Sequence, residues 1–281
     1  MSDRILGILG AGIVDPATPV LRADDLGVLR GDAVFEGLRL HDGTVDALEA
    51  HLDRLTRSAA AMDLPAPDLP AWRDLVGQVV DAWGEERGEA AIRLVLTRGL
   101  DSAPDDGPTC FALAAPVPES TLRQRREGVR VATLSRGVSS TSFVDAPWLL
   151  GGVKTTSYAV NMAAQRFAKQ QSAEDVIFVG TDGLVLEAPT ATVVWAIGET
   201  LCTSPPSIGI LDGITVRTLF DNAADHGLRT AISKSTVEDL HTSNGVWLVS
   251  SIRGAVAVTA IDGTACPVSD LTERVQAAAG L

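Results

Sequence analysis

The spacing of apolar residues changes several times along this chain, and the changes predict a mixture of helices and strands. In residues 47–62, Leu48, Leu52, Leu55 and Ala59 recur at intervals of three or four, which is typical of an amphipathic helix. The other elements predicted in the first part of the chain are a hairpin over 5–14, strands over 33–40, 91–97 and 109–115, and a helix over 71–83.

A charged segment over 118–128 separates this pattern from a second one. It lacks a sustained apolar face and is predicted to be a linker. Beyond it, the predicted strands cover 129–134, 176–179, 184–186, 192–197, 246–249 and 255–261, and the predicted helices cover 157–170, 215–226 and 269–279. The sequence therefore predicts an α/β (α+β) protein with a small N-terminal α/β domain over 1–117 and a larger C-terminal domain over 129–281.

Composition excludes several classes of protein. A hydrophobic content of 46% in 281 residues provides for a large core and excludes general disorder. A formal net charge of −13, with no stripe of Lys and Arg, argues against nucleic-acid binding. The three cysteines and four histidines do not cluster, so neither a disulfide framework nor a metal site is predicted. No apolar run approaches the roughly 20 residues of a membrane span, so the chain is predicted to be soluble and cytoplasmic.

One lysine, Lys154, follows six uncharged residues and precedes a predicted helix. Apolar surroundings lower the pKa of an ammonium group, which makes the neutral amine accessible. A neutral lysine amine can attack an aldehyde and form an imine, the bond that anchors pyridoxal phosphate in its enzymes. The alternative is an ordinary charged lysine whose ammonium group extends into water, which is the commoner case for a lysine considered alone.

Two further features suit a cofactor that carries a pyridine ring and a phosphate. Glu187 ends a predicted strand, and a carboxylate beside a pyridine nitrogen keeps that nitrogen protonated. Gly213, Ile214 and Thr215 begin a predicted helix, where free N–H groups and the positive end of the helix dipole attract an anion. The alternatives are a solvent-exposed glutamate and ordinary capping of the helix by Thr215.

Three more polar residues could take part in the same chemistry. Arg54, on the first predicted helix, could bind a phosphate as a fork-shaped donor, although an exposed helix arginine is the ordinary alternative. Ser250 and Ser251 follow a predicted strand, and their hydroxyl groups could add donors.

The order and the residues of these segments resemble those of the fold-type IV pyridoxal phosphate enzymes. That group contains branched-chain aminotransferases, D-amino acid aminotransferases and 4-amino-4-deoxychorismate lyases. The matching segments are Gly31–Gly37, His51–Leu55 with Ser58 and Ala59, Lys154–Tyr158 with Asn161, Asp182–Glu187, and Gly213–Thr215. Five matches in the same order, spread over nearly the whole chain, make the resemblance specific.

The resemblance implies pyridoxal 5'-phosphate as the cofactor and Lys154 as the catalytic residue that bonds to it. It also implies a larger C-terminal domain of pseudo-barrel form, with the cofactor in the cleft between the domains. A homodimer is implied, in which residues of one subunit complete the site of the other. Arg98 resembles the arginine that holds a substrate carboxylate in this group.

Departures from the family's patterns favour one member of the group. D-amino acid aminotransferases usually carry histidines shortly after the arginine that corresponds to Arg98, and this chain has none there. Branched-chain aminotransferases usually carry an aromatic residue where Arg30 stands. The segment Ser250–Gly254 is most similar to the corresponding segment of the lyases. Arg30 and Arg253 are therefore candidates for binding a dicarboxylate substrate.

The predicted activity is accordingly that of a 4-amino-4-deoxychorismate lyase, which gives 4-aminobenzoate and pyruvate for folate synthesis. The first alternative is a pyridoxal phosphate-dependent aminotransferase of D-amino or branched-chain amino acids, and one protein could carry both activities. A third possibility is a binding protein without turnover.

Overall fold

The computed structural model describes residues 3–266 and 269–281, and the chain divides into two compact units. The first unit contains Met1–Pro118 and Val153–Tyr158, and the second contains Glu119–Gly152 and Ala159–Leu281. Residues 1–2 and 267–268 of the two predicted domains lie outside the described residues. Each unit combines helices with a sheet, which confirms the predicted mixed α/β class.

The first unit is built on a six-stranded antiparallel sheet with the order β2-β1-β6-β5-β3-β4. Its strands are β1 (Ile5–Ile8), β2 (Gly12–Val14), β3 (Ala33–His41), β4 (Thr44–Val45), β5 (Ala90–Thr97) and β6 (Cys110–Pro116). Its helices are α1 (Leu26–Arg30), α2 (Leu48–Ala61) and α3 (Leu69–Trp83), with short 3-10 turns at Glu85–Arg87 and Pro104–Asp106.

Helix α2 packs against β3, and the alternation of side chains along β3 decides what faces it. Val34, Leu38 and Leu40 are fully buried in one core together with Leu52 and Leu55 of α2. Because successive side chains of a strand point to opposite faces, the residue between Val34 and Leu38 on this face is also directed at α2. That residue is a glutamate, and it becomes part of the candidate site described below.

The second unit contains an eight-stranded mixed sheet, in which seven strands follow the order β11-β10-β9-β12-β13-β7-β8 and β14 pairs with β13. Its strands are β7 (Val129–Ser135), β8 (Asp175–Val179), β9 (Thr192–Ile197), β10 (Thr200–Thr203), β11 (Arg229–Ile232), β12 (Val246–Ser250), β13 (Gly254–Ile261) and β14 (Thr264–Ala265). Its helices are α4 (Glu119–Glu127), α5 (Ser142–Asp145), α6 (Ala159–Gln170), α7 (Ile214–Asn222), α8 (Val237–Thr242) and α9 (Thr272–Ala278), with 3-10 turns at Pro147–Leu149, Pro206–Ile208 and Ala223–His226.

The central strands of this sheet are buried on both faces. In β12, Leu248 lies in one apolar core while its neighbour Trp247 lies in another, where it meets Leu219 of α7 and Val275 of α9. The segment 184–186 links the two edge strands: it bonds to β8 and, through the N–H of Val185, to the residues that follow β11. The sheet therefore curls toward closure.

The charged segment predicted as a linker is an element of the second unit. Residues 119–127 form α4, which packs against β13, and Arg125 donates to the carbonyl of Ile252. The linker prediction failed because only one face of this nine-residue helix touches protein, so its sequence shows no long apolar stripe. The lysine segment Val153–Tyr158, predicted in the C-terminal domain, belongs to the first unit by its contacts.

Other predicted elements are close to the observed ones. Strand β3 ends in an Asp-Gly turn, with Asp42 and Gly43 both at positive φ. Strand β9 lies in the same sheet as β8, and three strands separate the two. No helix among the described residues has the length and apolar character required to cross a membrane.

Candidate active site

The lysine segment of the first unit is held along the beginning of β3. The N–H of Phe35 donates to the carbonyl of Lys154 at 3.2 Å, and the N–H of Thr156 donates to the carbonyl of Ala33 at 2.9 Å. The N–H of Lys154 donates to Oγ of Ser58 on α2 at 3.2 Å. Main-chain bonds on both sides of Lys154 therefore fix the position from which its side chain extends. A lysine that must bring its amine to one position needs a backbone fixed in this way.

Two aromatic rings lie near the Lys154 side chain. Its Nζ is 4.4 Å from the ring centroid of Phe35 and 5.9 Å from that of Tyr158, and the two rings meet edge to face at 5.2 Å. The half-buried lysine is therefore not a charge that extends into open water. Rings at these distances suit both an amine and the flat face of another ring.

Arg54 is buried and paired, in contrast to the exposed helix arginine that was the alternative. Its Nε and Nη2 donate to Oε1 and Oε2 of Glu36, each at 2.8 Å, and only 5% of the residue is exposed. His51, one helical turn earlier, lies with Nδ1 2.7 Å from Oε2 of the same carboxylate. The three side chains form one buried polar group between β3 and α2.

The Glu36 carboxyl is ionised within this group. Burial raises its pKa, but the hydrogen bonds from Arg54 and His51 together outweigh burial and lower the pKa from 4.5 to about 2. An ionised carboxylate can only accept hydrogen bonds, so Nδ1 of His51 carries the proton and donates it. The pair with Arg54 is therefore an ion pair at neutral pH.

Arg30 lies at the exposed end of α1, beside the lysine segment. The carbonyl of Gly31 accepts from the hydroxyl groups of Thr156 and Ser157, at 3.1 and 3.0 Å. A side chain at residue 31 would come within 2.6 Å of Oγ of Ser157, and φ there is +68°, so both the contact and the backbone require glycine. These bonds place the last residue of α1 next to the segment that carries Lys154.

Arg98 makes contacts that compete with its predicted role. Its Nε and Nη2 donate to the carboxylate of Asp32 at 2.5 and 3.2 Å, and it also donates to the carbonyls of Met62 and Asp63. Four of its five N–H groups are thus bonded within the first unit. Binding a substrate carboxylate through two N–H groups would require Arg98 to release one of these acceptors.

In the second unit, Glu187 is tied to the loop that precedes α7. Its Oε2 accepts from the N–H of Leu211 at 3.0 Å, and the residue is half buried. The alternative of a glutamate directed only at water is therefore wrong. This bond brings together two segments that the sequence separates by more than twenty residues.

The beginning of α7 is open to an anion. The helix begins at Ile214 with Gly213 as its N-cap, and no side chain caps it, so capping by Thr215 is wrong. A Cβ at residue 213 would lie 2.6 Å from Oγ1 of Thr192, so only glycine allows this close approach. The side chain of Ile214 is buried, so only its main-chain N–H could reach an anion.

Two hydroxyl groups lie beside this helix start. Oγ1 of Thr215 and Oγ of Ser251 are 3.2 Å apart, and Ser250 is the last residue of β12, paired with Gly254. Hydroxyl groups and uncapped N–H groups at a helix start form a donor set typical of a phosphate site. The structure thus brings Glu187, Gly213, Thr215 and Ser251 into one region.

Arg253 forms an ion pair within the second unit. Its Nη1 donates to Oδ2 of Asp175, the first residue of β8, at 2.6 Å. The Arg253 side chain is 11% exposed and that of Asp175 is fully buried. This geometry is typical of a structural ion pair, which sequence reasoning alone did not identify.

The residues present fit pyridoxal 5'-phosphate. The first unit offers an amine beside aromatic rings and a buried, oriented arginine. The second offers a carboxylate for a pyridine nitrogen and a phosphate-type donor set one loop away. The chemistry of both donor sets matches a cationic ring that carries an aldehyde and a dianionic phosphate.

The chain belongs to the class IV amino-transferase family, whose model matches residues 33–261. The fold-type IV resemblance is confirmed, the protein is an enzyme of this pyridoxal phosphate-dependent family, and its cofactor is pyridoxal 5'-phosphate.

Similar proteins come from Mycobacterium tuberculosis. One, described as a bifunctional aminodeoxychorismate lyase / D-amino acid transaminase, is 43% identical over 273 residues that cover 94% of each chain. A solved structure of a hypothetical aminotransferase in its PLP-bound form is 43% identical, with a TM-score of 0.94 and coverage of 99% of both chains. Its form with α-ketoglutarate and PMP has a TM-score of 0.94, 43% identity and coverage of 98% of both.

Proposed function

We propose that this enzyme is a 4-amino-4-deoxychorismate lyase, which converts its substrate to 4-aminobenzoate and pyruvate. The observation that carries the proposal is the position of Arg30, an exposed cation next to the segment that holds Lys154. The substrate has two carboxylates, and a guanidinium binds a carboxylate well because its N–H groups match both oxygens. The name of the 43% identical relative supports the same activity.

We assign the cofactor-binding roles as follows. The residues assigned to the phosphate are Arg54, Gly213, Ile214, Thr215, Ser250 and Ser251. Glu187 would keep the pyridine nitrogen protonated, and Lys154 would provide the bonding amine. When bound, the cofactor supplies an electron sink for a carbanion.

We also propose a homodimer, supported by the exposed apolar residues Val28 and Leu29 on α1. A mass of one chain in light scattering would contradict the homodimer.

Lys154 would move the protons of the reaction. Its Nζ, as a neutral amine, takes the proton from the ring carbon that carries the substrate amino group. The bond between the ring and the enolpyruvyl oxygen then breaks, and Lys154 or a water molecule protonates the methylene carbon to give pyruvate. Loss of that proton and of the enolpyruvyl group leaves the aromatic ring of 4-aminobenzoate, which favours release.

A second candidate activity is transamination of D-amino acids. It is favoured by the name of the bifunctional relative and by the α-ketoglutarate and PMP form of a similar structure. The two activities would share Lys154, Arg54 and Glu187. They differ in that transamination consumes an amino acceptor, whereas the lyase reaction needs none.

An assay of the purified enzyme separates these activities. We expect aminodeoxychorismate alone to give 4-aminobenzoate and pyruvate in equal amounts, with no 2-oxo acid added. D-alanine with 2-oxoglutarate tests the second activity, and L-leucine with 2-oxoglutarate tests the branched-chain alternative. Acceptor-dependent turnover without any 4-aminobenzoate would contradict the lyase proposal, and no turnover at all would favour a binding protein.

Replacing Arg30 with methionine is expected to raise KM for aminodeoxychorismate at least about tenfold, the value of one charge-assisted hydrogen bond. Because Arg30 is exposed, the thermal unfolding temperature and the cofactor absorption should not change. Steady-state kinetics and spectra of the holoenzyme measure all three quantities.

Arg253→Met provides the comparison. It leaves the buried carboxylate of Asp175 without its cation, which costs roughly 3 kcal/mol in the free energy of unfolding and lowers the unfolding temperature. We expect KM to change less than in Arg30→Met. If Arg30→Met leaves KM unchanged, Arg30 does not bind the substrate.

A further inference from the structure

We propose that Glu36 is a positioning residue for the cofactor phosphate: it fixes the guanidinium of Arg54, and His51 in turn fixes Glu36. The inference rests on the proposed assignment of Arg54 to the phosphate. It adds two residues that neither bind nor react themselves, but determine how firmly the phosphate is held.

The geometry leaves the guanidinium little freedom. Two parallel bonds of 2.8 Å join Nε and Nη2 of Arg54 to the two oxygens of Glu36, which fixes both the plane and the rotation of the guanidinium. A phosphate that binds Arg54 therefore meets a donor already oriented, and less side-chain entropy is lost on binding.

His51 prevents the carboxylate itself from rotating. Oε2 of Glu36 accepts from both Nη2 of Arg54 and Nδ1 of His51, the latter at 2.7 Å. Glu36 is fully buried and His51 is 1% exposed, so water does not compete for these bonds. The chain of contacts from His51 through Glu36 to Arg54 is therefore rigid.

Stability alone is a poor explanation for such a group in this place. It lies on the face of β3 that otherwise carries Val34, Leu38 and Leu40, and α2 buries Leu52, Leu55 and Ala59 beside it. Replacing a buried ion pair with apolar residues of similar volume is often neutral or stabilising. An orienting role explains why charged groups occupy positions suited to apolar ones.

The same face of α2 also reaches the lysine segment. His51, Arg54 and Ser58 follow one another at intervals of three and four, so they form one polar stripe along the helix. Ser58 accepts from the N–H of Lys154. One helix face thus orients both the arginine and the chain that carries the reactive lysine.

The test measures what the phosphate contributes to binding. The apparent Kd of each apoenzyme is determined by spectrophotometric titration with pyridoxal 5'-phosphate and with pyridoxal, which lacks the phosphate. The ratio of the pyridoxal Kd to the pyridoxal phosphate Kd isolates the phosphate contribution. We expect Glu36→Gln to lower this ratio about tenfold, because both charge-assisted bonds to Arg54 are weakened.

The matched control is a glutamate on the same helix with the same geometry at the surface. Glu49 accepts from Nε and Nη2 of Arg73 at 2.7 and 2.8 Å, and 62% of its side chain is exposed. Glu49→Gln should leave the ratio unchanged. If Glu49→Gln lowers the ratio as much as Glu36→Gln does, the effect is not one of positioning and the proposal is overturned.

Two further variants distinguish the possible failures. If Arg54→Gln leaves the ratio unchanged, Arg54 does not bind the phosphate and the underlying assignment fails. If Arg54→Gln lowers the Kd ratio but Glu36→Gln leaves the ratio equal or raises it, only the positioning role fails. Removal of a negative charge, without any loss of positioning, would by itself tighten phosphate binding and raise the ratio. If Glu36→Gln does not fold, as judged by circular dichroism, His51→Leu takes its place. We expect His51→Leu to lower the Kd ratio about threefold, the value of one hydrogen bond. An unchanged ratio in His51→Leu would overturn the proposal.

Discussion

Replacing Lys154 with alanine is expected to lower turnover at least about 10⁴-fold, because one change removes the residue proposed both as the nucleophile that bonds the cofactor and as the general base. Its main-chain bonds to Phe35 and Ser58 do not involve the side chain, so the segment should keep its position. The loss should therefore appear in kcat and in cofactor retention, while the circular dichroism spectrum stays that of the parent protein.

The small number of lysines in the sequence provides controls for this variant. The chain has only two other lysines, Lys169 and Lys234, and both are exposed. Borohydride reduction of the parent holoenzyme followed by peptide mapping should place the cofactor mass on Lys154 alone. Lys169→Ala and Lys234→Ala should keep full activity. A Lys154→Ala protein with turnover near that of the parent would overturn the proposed mechanism.

The fold could be predicted largely because its elements have simple patterns. The spacing of Leu48, Leu52, Leu55 and Ala59 identified α2 within one residue at each end. Strands such as β10 (Thr200–Thr203) and β11 (Arg229–Ile232) were not predicted, since they are only four residues long and β11 has no buried side chain. Elements this short are defined by their partners in the sheet rather than by their own sequence.

The segments of the candidate site could be named from the sequence, but the partners of their side chains could not. Nothing near Glu187 in the chain indicates its bond to Leu211, and nothing near Arg253 indicates Asp175. These contacts join residues more than twenty positions apart. Local pattern carries no information about them, so the roles assigned to Arg98 and Arg253 took no account of the acceptors that those arginines bind.

One signal for Glu36 was present in the sequence and was not used. Strand β3 alternates between two faces, and Glu36 falls on the face of Val34 and Leu38. A charge at such a position needs a buried partner. His51 and Arg54, on the helix that follows, were the available partners. Combining the strand alternation with the helix periodicity would have predicted this group.

The second large effect is expected for Glu187→Gln. Glutamine has nearly the same shape, and its carbonyl oxygen can still accept from the N–H of Leu211, so the loop before α7 should keep its place. What is removed is the negative charge that we assign to the pyridine nitrogen. Without it the ring is a weaker electron sink, and we expect kcat to fall about 10²–10³-fold, the typical value of one preorganised electrostatic contact.

Binding and stability should change far less than turnover in this variant. The phosphate donors Thr215 and Ser251 are untouched, so the Kd for the cofactor should rise by no more than about tenfold. Glu187→Asp, which keeps the charge but shortens the side chain, should retain more activity than Glu187→Gln. Glu174→Gln, which alters an exposed ion pair with Arg130 in the same unit, should behave like the parent enzyme. If Glu187→Gln turns over within about threefold of the parent enzyme, the charge of residue 187 contributes little to the reaction and its assigned role is wrong.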